Sequence, residues 1–318
     1  MPKNKQMDTT IVSYDQRFDE DIQMLEQYIV QGNNIQLEII KDHFLDRATV
    51  FKKYYASLAL DQAGIPIATA IGARTSLCIN GTSFDAGIGY EVKVHPRYHN
   101  KGIGRKMATH IYQHFFRPEG LGKNFITLKK SNIPVVRLVA RAIGKIWLYN
   151  FVYLTIPATT RTGNILMGKS KKQLFSVGLF NKEELHHSYY KDVSNNLGYF
   201  HTYKMYRLKI RRIGFLYKLG LVLIKKLQPK KYASLPKVKE TFHSAALYNH
   251  HAGNIHNINE VLEQLENKEI HYLMVCCQKN DCIYDALKKF SINTYGYYIL
   301  GDFPLTKKDK VTIDARCL

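Results

Sequence analysis

The stretch Tyr90-Glu-Val-Lys-Val-His-Pro-Arg-Tyr-His-Asn-Lys-Gly-Ile-Gly-Arg-Lys-Met-Ala-Thr constrains the fold more than any other part of the chain. Val92 and Val94 alternate with polar neighbours, which predicts a strand with one buried face. Pro96 ends that strand, because it has no N–H to give to a ladder. Met107, Ile111 and Phe115 then recur at helical spacing, with Ala108 and Tyr112 widening the stripe. Gly102 and Gly104 stand where the helix begins. The first N–H groups of a helix have no internal acceptor and carry the positive end of its dipole, and glycine lets a phosphate approach without a Cβ in the way. Lys101 and Arg105 add positive charge to the same turn, so the segment reads as an anion cradle. A P-loop is excluded, since the chain has no Gly-x-x-x-x-Gly-Lys-Ser/Thr run. A dinucleotide fingerprint is excluded too, since Met107 stands where its third glycine would be.

The spacing His99-Asn100-Lys101-Gly102-Ile103-Gly104, preceded by Val92-Lys93-Val94-His95-Pro96, resembles the acetyl-CoA-binding motif of the GNAT acetyltransferase superfamily, Gln/Arg-x-x-Gly-x-Gly/Ala. The departure is His99 where Gln or Arg is usual, and His still donates a hydrogen bond. Upstream, Tyr55 to Leu60 and Ile67 to Leu77 read as a hairpin around the turn Gln62-Ala-Gly-Ile-Pro, similar to the one that precedes this loop in the superfamily. Downstream, Phe125-Ile-Thr-Leu is a short strand, and Ser131-Asn132-Ile133-Pro134 opens a helix from about Val135 to Ile143. The resemblance makes Asn132 a cofactor contact, and its alternative reading is a helix N-cap. The superfamily likeness spans roughly residues 8–158. A more diffuse likeness to plant hookless-type acetyltransferases covers most of the chain and includes the closing Val311-Thr-Ile-Asp-Ala-Arg-Cys-Leu.

What the resemblance implies is an α+β (α/β/α) fold, a mixed and mostly antiparallel sheet flanked by helices, in a domain over residues 1–165. Its cofactor residues would be Val92, Lys93, Val94, His99, Asn100, Lys101, Gly102, Ile103, Gly104, Arg105 and Asn132. The co-substrate would be acetyl-CoA, and the activity N-acetyl transfer to a small-molecule or peptide amine. The main chain of Val92–Val94 would polarise the thioester carbonyl. The tyrosine that often protonates the leaving thiolate in the superfamily has no counterpart, because Leu138-Val139-Ala140 stands in its place. Tyr149 and Tyr153 lie further on. Tyr90 and Glu91 are the candidate catalytic residues, and strand alternation sends them to opposite faces. A carboxylate beside Lys93 also reads as a cross-strand ion pair. The missing tyrosine keeps a second reading open, a non-catalytic acyl-CoA-binding regulatory protein.

The second half repeats the order strand, turn, helix, strand, helix, strand. The elements are Phe242 to Tyr248, Asn249-His-His-Ala-Gly-Asn, Ile255 to Leu265, Ile270 to Cys277, Cys282 to Phe290 and Tyr295 to Leu300. This predicts a second, degenerate GNAT-like domain over 241–318, joined through a helical segment over 166–240. Its turn keeps only Gly253 and lacks the basic residues, so it is not expected to bind CoA.

Net charge is +20, from 46 basic and 26 acidic residues. The charge concentrates between Lys204 and Lys239, where Ile213, Leu216, Leu219, Leu223 and Leu227 form an apolar stripe beside Arg211, Arg212, Lys218, Lys225 and Lys226. Such a helix lies on a membrane surface or, the favoured reading, packs its apolar face between domains with its basic face in water. No nucleic-acid module pattern accompanies the charge, so nucleic acid is not the expected partner. The acidic run Asp15, Asp19, Glu20, Asp21 and Glu26 either draws a cationic amine or complements a helix dipole. Cys78, Cys276, Cys277, Cys282 and Cys317 form no Cys-x-x-Cys pair, and neither they nor the 13 histidines, expected at the surface, have metal spacing. Free thiols, a polar start Met1-Pro-Lys-Asn-Lys-Gln and no long apolar run point to a cytoplasmic protein without a spanning helix. Oligomeric state is open.

Overall fold

The computed structural model describes residues 9–29, 32, 34–163, 165, 172–202, 205–232 and 235–318; the polar start and Lys204 lie outside them. Strand β1 (Thr10–Ser13) leads to helix α1 (Asp19–Gln27), β2 (Ile35–Ile40), β3 (Tyr54–Leu60), β4 (Pro66–Ile79) and β5 (Thr82–Val94). There follow α2 (Ile103–Ile111), β6 (Asn124–Lys129), α3 (Ile133–Ile143) and β7 (Trp147–Pro157). The chain continues through β8 (Phe175–Gly178), β9 (Tyr190–Ser194), β10 (Leu197–His201), β11 (Arg207–Ile213), α4 (Phe215–Leu227), α5 (Pro229–Tyr232) and β12 (Thr241–Phe242). It closes with β13 (Ser244–Tyr248), α6 (Ile258–Asn267), β14 (Tyr272–Cys277), α7 (Cys282–Leu287), β15 (Asn293–Gly301) and β16 (Val311–Asp314).

Most strands join one sheet in the order β1-β3-β4-β5-β6-β15-β7-β14-β13-β10-β9, and β2, β11 and β12 form a small second sheet. The large sheet is mixed and mostly antiparallel: β5 and β6 run parallel, as do β13 and β14, while the central pairs β6–β15, β15–β7 and β7–β14 are antiparallel. Read outward from the β15–β7 pair, the order is symmetric. The run β15-β6-β5-β4-β3 on one side answers β7-β14-β13-β10-β9 on the other. Each half thus lends a strand to the other, β7 lying beside β14 and β15 beside β6. The tandem organisation expected from the repeated element order is present, with this exchange of strands added. No local sequence signal specifies which neighbour an apolar strand chooses, which is why the exchange is invisible in the sequence.

Helices cover the sheet where their apolar stripes demand it. Ile258, Val261, Leu262 and Leu265 of α6 are fully buried, worth about 1.5–3 kcal/mol each as an upper figure for apolar burial. On the other half, Met107 and Ile111 of α2 and, one turn on, Phe115 pack against Ala59, Ile67, Ala68 and Ala70 of β3 and β4. Cys276 and Cys277 belong to two different apolar clusters on opposite faces of the sheet, as alternation requires.

Two expectations fail. The stripe after Ile213 is a helix, but no residue of α4 is buried, so its apolar face is not interdomain core. Periodicity reports that a helix has an apolar face, not that something covers it. The surface reading of the histidines fails at His201 and His250, which are 2% and 1% exposed. His250 is tolerated there because its Nε2–H donates to the Cys276 carbonyl at 2.9 Å.

Candidate functional site

Strands β5 and β6 touch only at their start. Parallel pairing holds at Gly87–Asn124 and Ile88–Phe125 and then stops, so toward Val94 and Lys129 the two strands part. The gap lies at the carboxyl ends of neighbouring parallel strands, each followed by a helix, which is where open α/β sheets take ligands. Helices α2 and α3 start on either side of it.

On the β5 side the ladder to β4 carries a bulge: Thr69 faces Lys93 and Ile71 faces Tyr90, so Glu91 and Val92 together oppose Ala70. Glu91 takes φ +53° there. The bulge breaks the alternation that would have sent Tyr90 and Glu91 to opposite surroundings. Arg47 sits 5.1 Å from the Tyr90 ring centre and 3.4 Å from Glu91 Oε1. Past the bulge the ladder resumes, with the His95 N–H donating to Ile67 O. Alternation therefore turns the Val94 N–H away from β4, toward the gap.

The loop after β5 is braced by its own residues. His99 donates from Nε2 to Val94 O at 2.9 Å, His95 Nδ1 accepts from the Arg97 N–H, and Lys101 lies over the Tyr98 ring. Asn100 (φ +62°) and Gly102 (φ +79°) are left-handed, and Gly102 is the N-cap of α2. A Cβ on Gly104 would stand 2.5 Å from Leu138 Cδ1 of α3, so glycine there lets α2 and α3 approach. Ile103 and Gly104 are buried; His99, Asn100, Lys101, Gly102 and Arg105 are exposed. Asn132 occupies the N-cap of α3, but its side chain makes no capping bond and is exposed. Val92 and Val94 line the β5 edge, while Lys93 turns its side chain to Glu26 and Glu91 behind it. The other ten expected cofactor residues lie around one gap.

Behind the bulge lies a buried ionic cluster, of which the sequence disclosed only the pairing of Glu91 with Lys93. Glu91 pairs with Lys41 (3.2 Å), Arg47 (3.4 Å) and Lys93, and Glu26 of α1 pairs with Lys41 and Lys93 at 2.7 Å each. Two carboxylates face three cations. Burial alone would raise the Glu91 pKa, but Lys93, Lys41 and Arg47 together outweigh it and hold the carboxylate well below its usual range. Burial lowers Lys93 and the two glutamates more than restore it, so it is held above its ordinary value. Burial likewise pushes the Tyr90 hydroxyl well above its ordinary value, with Arg47 pulling the other way. Among the described residues Tyr90 Oη has no hydrogen-bond partner although it is buried. Arg47 also donates to Leu318 O at 2.7 Å, tying the cluster to the far end of the chain. Lys41 and Arg47 come from the segment that follows β2, distant in sequence, and nothing local marked them. Of the acidic run, Asp15 accepts from the Arg17 N–H, Asp19 from Tyr14 Oη, and Glu26 joins the cluster. Tyr149 gives its hydroxyl to Leu174 O and Asp309 O, and Tyr153 is buried in the central core.

Among the described residues no group of histidine, cysteine and carboxylate side chains could hold a metal, and no helix is long and apolar enough to cross a membrane. The arrangement offers an open strand edge, two helix N-termini and a buried hydroxyl beside a neutralised carboxylate.

Residues 41–144 match the family model described as Acetyltransferase (GNAT) family. Curated proteins give no sequence match. Among solved structures, Saccharomyces cerevisiae N-myristoyltransferase with bound myristoyl-CoA aligns over 98% of this chain and 86% of its own, with a TM-score of 0.58 at 10% identity. The Escherichia coli ribosomal-protein-S18-alanine N-acetyltransferase aligns over 44% of this chain and 81% of its own (TM-score 0.33, 15% identity). A GCN5-related N-acetyltransferase from Kribbella flavida aligns over 93% and 71% (TM-score 0.44, 10% identity). At 10% identity the first likeness speaks for the fold across both halves, and no weight rests on the other two. Family match and strand topology coincide on the β5–loop–α2 unit, so residues 41–144 carry the GNAT-family likeness within a fold of tandem architecture.

Proposed function

We propose that the protein transfers an acetyl group from acetyl-CoA to an amine, carried by a small molecule or a peptide. The observation that carries this reading is the gap between β5 and β6, flanked by the starts of α2 and α3. The pyrophosphate fits the exposed turn Asn100–Arg105, where α2 presents its first N–H groups. The thioester carbonyl fits the Val94 N–H, which faces the gap. Asn132, with no capping bond to make, is free to hold the pantetheine amides. Residues 1–165 would carry the whole of this site, and 241–318 a degenerate copy. Five free cysteines suit a reducing, cytoplasmic setting.

Transfer forms a C–N bond, breaks the C–S bond and returns a proton to the departing sulfur. Glu91, neutralised by three cations, holds the bulge in shape rather than taking the proton of the amine. Tyr90 stays protonated and has an unbonded hydroxyl, so it suits the donor role toward sulfur. A short acyl group is favoured because Phe125, at the closed end of the gap, belongs to the packed core.

Calorimetric titration with acetyl-CoA and with myristoyl-CoA, followed by thiol release against a panel of small and peptide amines, tests the reading. Acetyl-CoA binding with turnover, lowered at least tenfold in kcat by Tyr90→Phe, supports it. Preference for the long acyl-CoA overturns the acetyl assignment, and no binding of either overturns the site. Binding without turnover on any amine would favour the regulatory reading, which Leu138 supports by filling against Gly104 the place of the hydroxyl on α3.

A further inference from the structure

We infer that α4 is a docking element for anionic lipid surfaces. The helix carries Phe215, Leu216, Leu219, Leu223 and Leu227 at 73%, 79%, 49%, 61% and 80% exposure, and none of its residues is buried. No other helix of the described residues leaves such a row of large apolar side chains in water, and patches of this kind on a soluble fold mark an interaction site. What covers it is set by charge. Between Arg207 and Lys239 the chain has no Asp or Glu and eleven Lys and Arg. On the helix itself Lys218 and Lys226 are exposed, and Arg211 and Arg212 precede it on β11, also exposed.

A second copy of the chain is the wrong occupant, because it would bring the same run of unbalanced cations against itself on a molecule of net charge +20. A nucleic acid would use the cations and leave the leucines in water. A bilayer with anionic headgroups satisfies both, taking the apolar side chains below the headgroup level and leaving the lysines among the phosphates. Thirteen residues make a helix of about 20 Å, shorter than the roughly 30 Å hydrocarbon core, so α4 lies in the interface and does not span it. The helix is anchored to the fold at its start, where the Gly214 N–H donates to Asn34 O and Arg211 donates to Gln27 O, beside α1. Docking would thus set the acyl-transfer domain at a membrane surface, whatever its acceptor.

The test is sedimentation of the full chain with vesicles of phosphatidylcholine alone and of phosphatidylcholine with 30% phosphatidylserine. Binding to the mixed vesicles at least tenfold tighter than to the neutral ones, weakened several-fold by 0.5 M salt, is expected. Leu216→Glu/Leu223→Glu should lower it at least tenfold with an unchanged thermal melt, since both side chains are exposed. Lys218→Glu/Lys226→Glu should lower it with the apolar face intact. Failure to bind mixed vesicles, equal binding by the Leu216→Glu/Leu223→Glu protein, or a wild-type dimer that this variant dissolves would each overturn the proposal, the last by making the face a contact between copies.

Discussion

At the carboxyl ends of β5 and β6 the strands part around exposed residues, whereas at the matching ends of β13 and β14 the chain lies across itself. Gln173 donates to His250 O at 2.8 Å, the Leu174 N–H to Asp281 Oδ1 at 2.9 Å, and the Asn249 N–H to Val177 O at 2.7 Å. Gln173 to Val177 therefore crosses the mouth of the second half at the level where the first half is open. The turn beneath is filled as well. Asn254, fully buried, donates to Asn195 O and Asn249 O, and Asp281 at the N-cap of α7 accepts from the Gln278 and Leu174 N–H groups. Asn132, at the equivalent N-cap of α3, makes no such bond. The two halves share a strand order and differ in whether side chains and backbone consume the polar groups at the mouth. A strand–turn–helix unit is a binding site only while its helix-start N–H groups and strand edges are left unspent.

The largest difference to break is the ionic cluster, which has no like at the end of β13, where Ala245, Ala246, Leu247 and Tyr248 are wholly buried. Glu91→Gln leaves Lys41, Lys93 and Arg47 facing an uncharged amide in the interior. Removing one partner of a buried charge pair costs about 3–5 kcal/mol. Urea denaturation at pH 7 should read a loss of that order. A loss below 1 kcal/mol would mean that water reaches the cluster.

Next in size is a pH effect that belongs to the second half. Burial lowers the His250 pKa to about 4, against about 6.5 in an unfolded chain. The folded state therefore binds its proton later than the unfolded one. Stability is intact above about pH 6.5 and is lost as pH falls toward 4, by about 3 kcal/mol. His250→Gln keeps a donor for Cys276 O and does not titrate, so its stability should fall less over that range. Parallel pH curves for the two proteins would remove His250 from the account.

The glycines test the comparison directly. Gly102→Glu puts a carboxylate into the proposed anion cradle at a position with φ +79° and open space around it. Acetyl-CoA affinity should drop about 100-fold, near 2.7 kcal/mol, with the fold retained. Gly253→Glu, in the matching turn of the second half, should leave affinity unchanged. Equal losses from both would mean that the closed mouth also takes ligand.

What could be read in the sequence was what local chemistry decides. The stop at Pro96, the glycine turn at the start of α2 and the stripe through Met107 each depend on neighbours a few residues away and stand where they were expected, whereas Val92, expected on a buried face, is exposed past the bulge at Glu91. Lys41 and Arg47 reach Glu91 only because the segment after β2 folds back onto β5, a placement no local pattern encodes. The same holds for Leu174 at the mouth of the second half and for the exchange of β7 and β15. The bulge at Glu91 was hidden for another reason: one extra residue in a ladder leaves the polar–apolar alternation of the sequence nearly unchanged while reversing which way a side chain points.

The smallest effect, and the sharpest on the difference between the halves, is expected at Asn132. Its amide is exposed and caps nothing, so folding gives no reason for an asparagine there. Asn132→Ala should leave the denaturation midpoint within about 0.5 kcal/mol of wild type, as for an uninvolved surface position. If the amide holds the pantetheine arm, the same change should weaken acetyl-CoA about five-fold, the worth of one neutral hydrogen bond of about 1 kcal/mol. Calorimetry on the two proteins separates the cases. Affinity lost at constant stability makes Asn132 part of the site, while stability lost with unchanged affinity would make it a hidden cap.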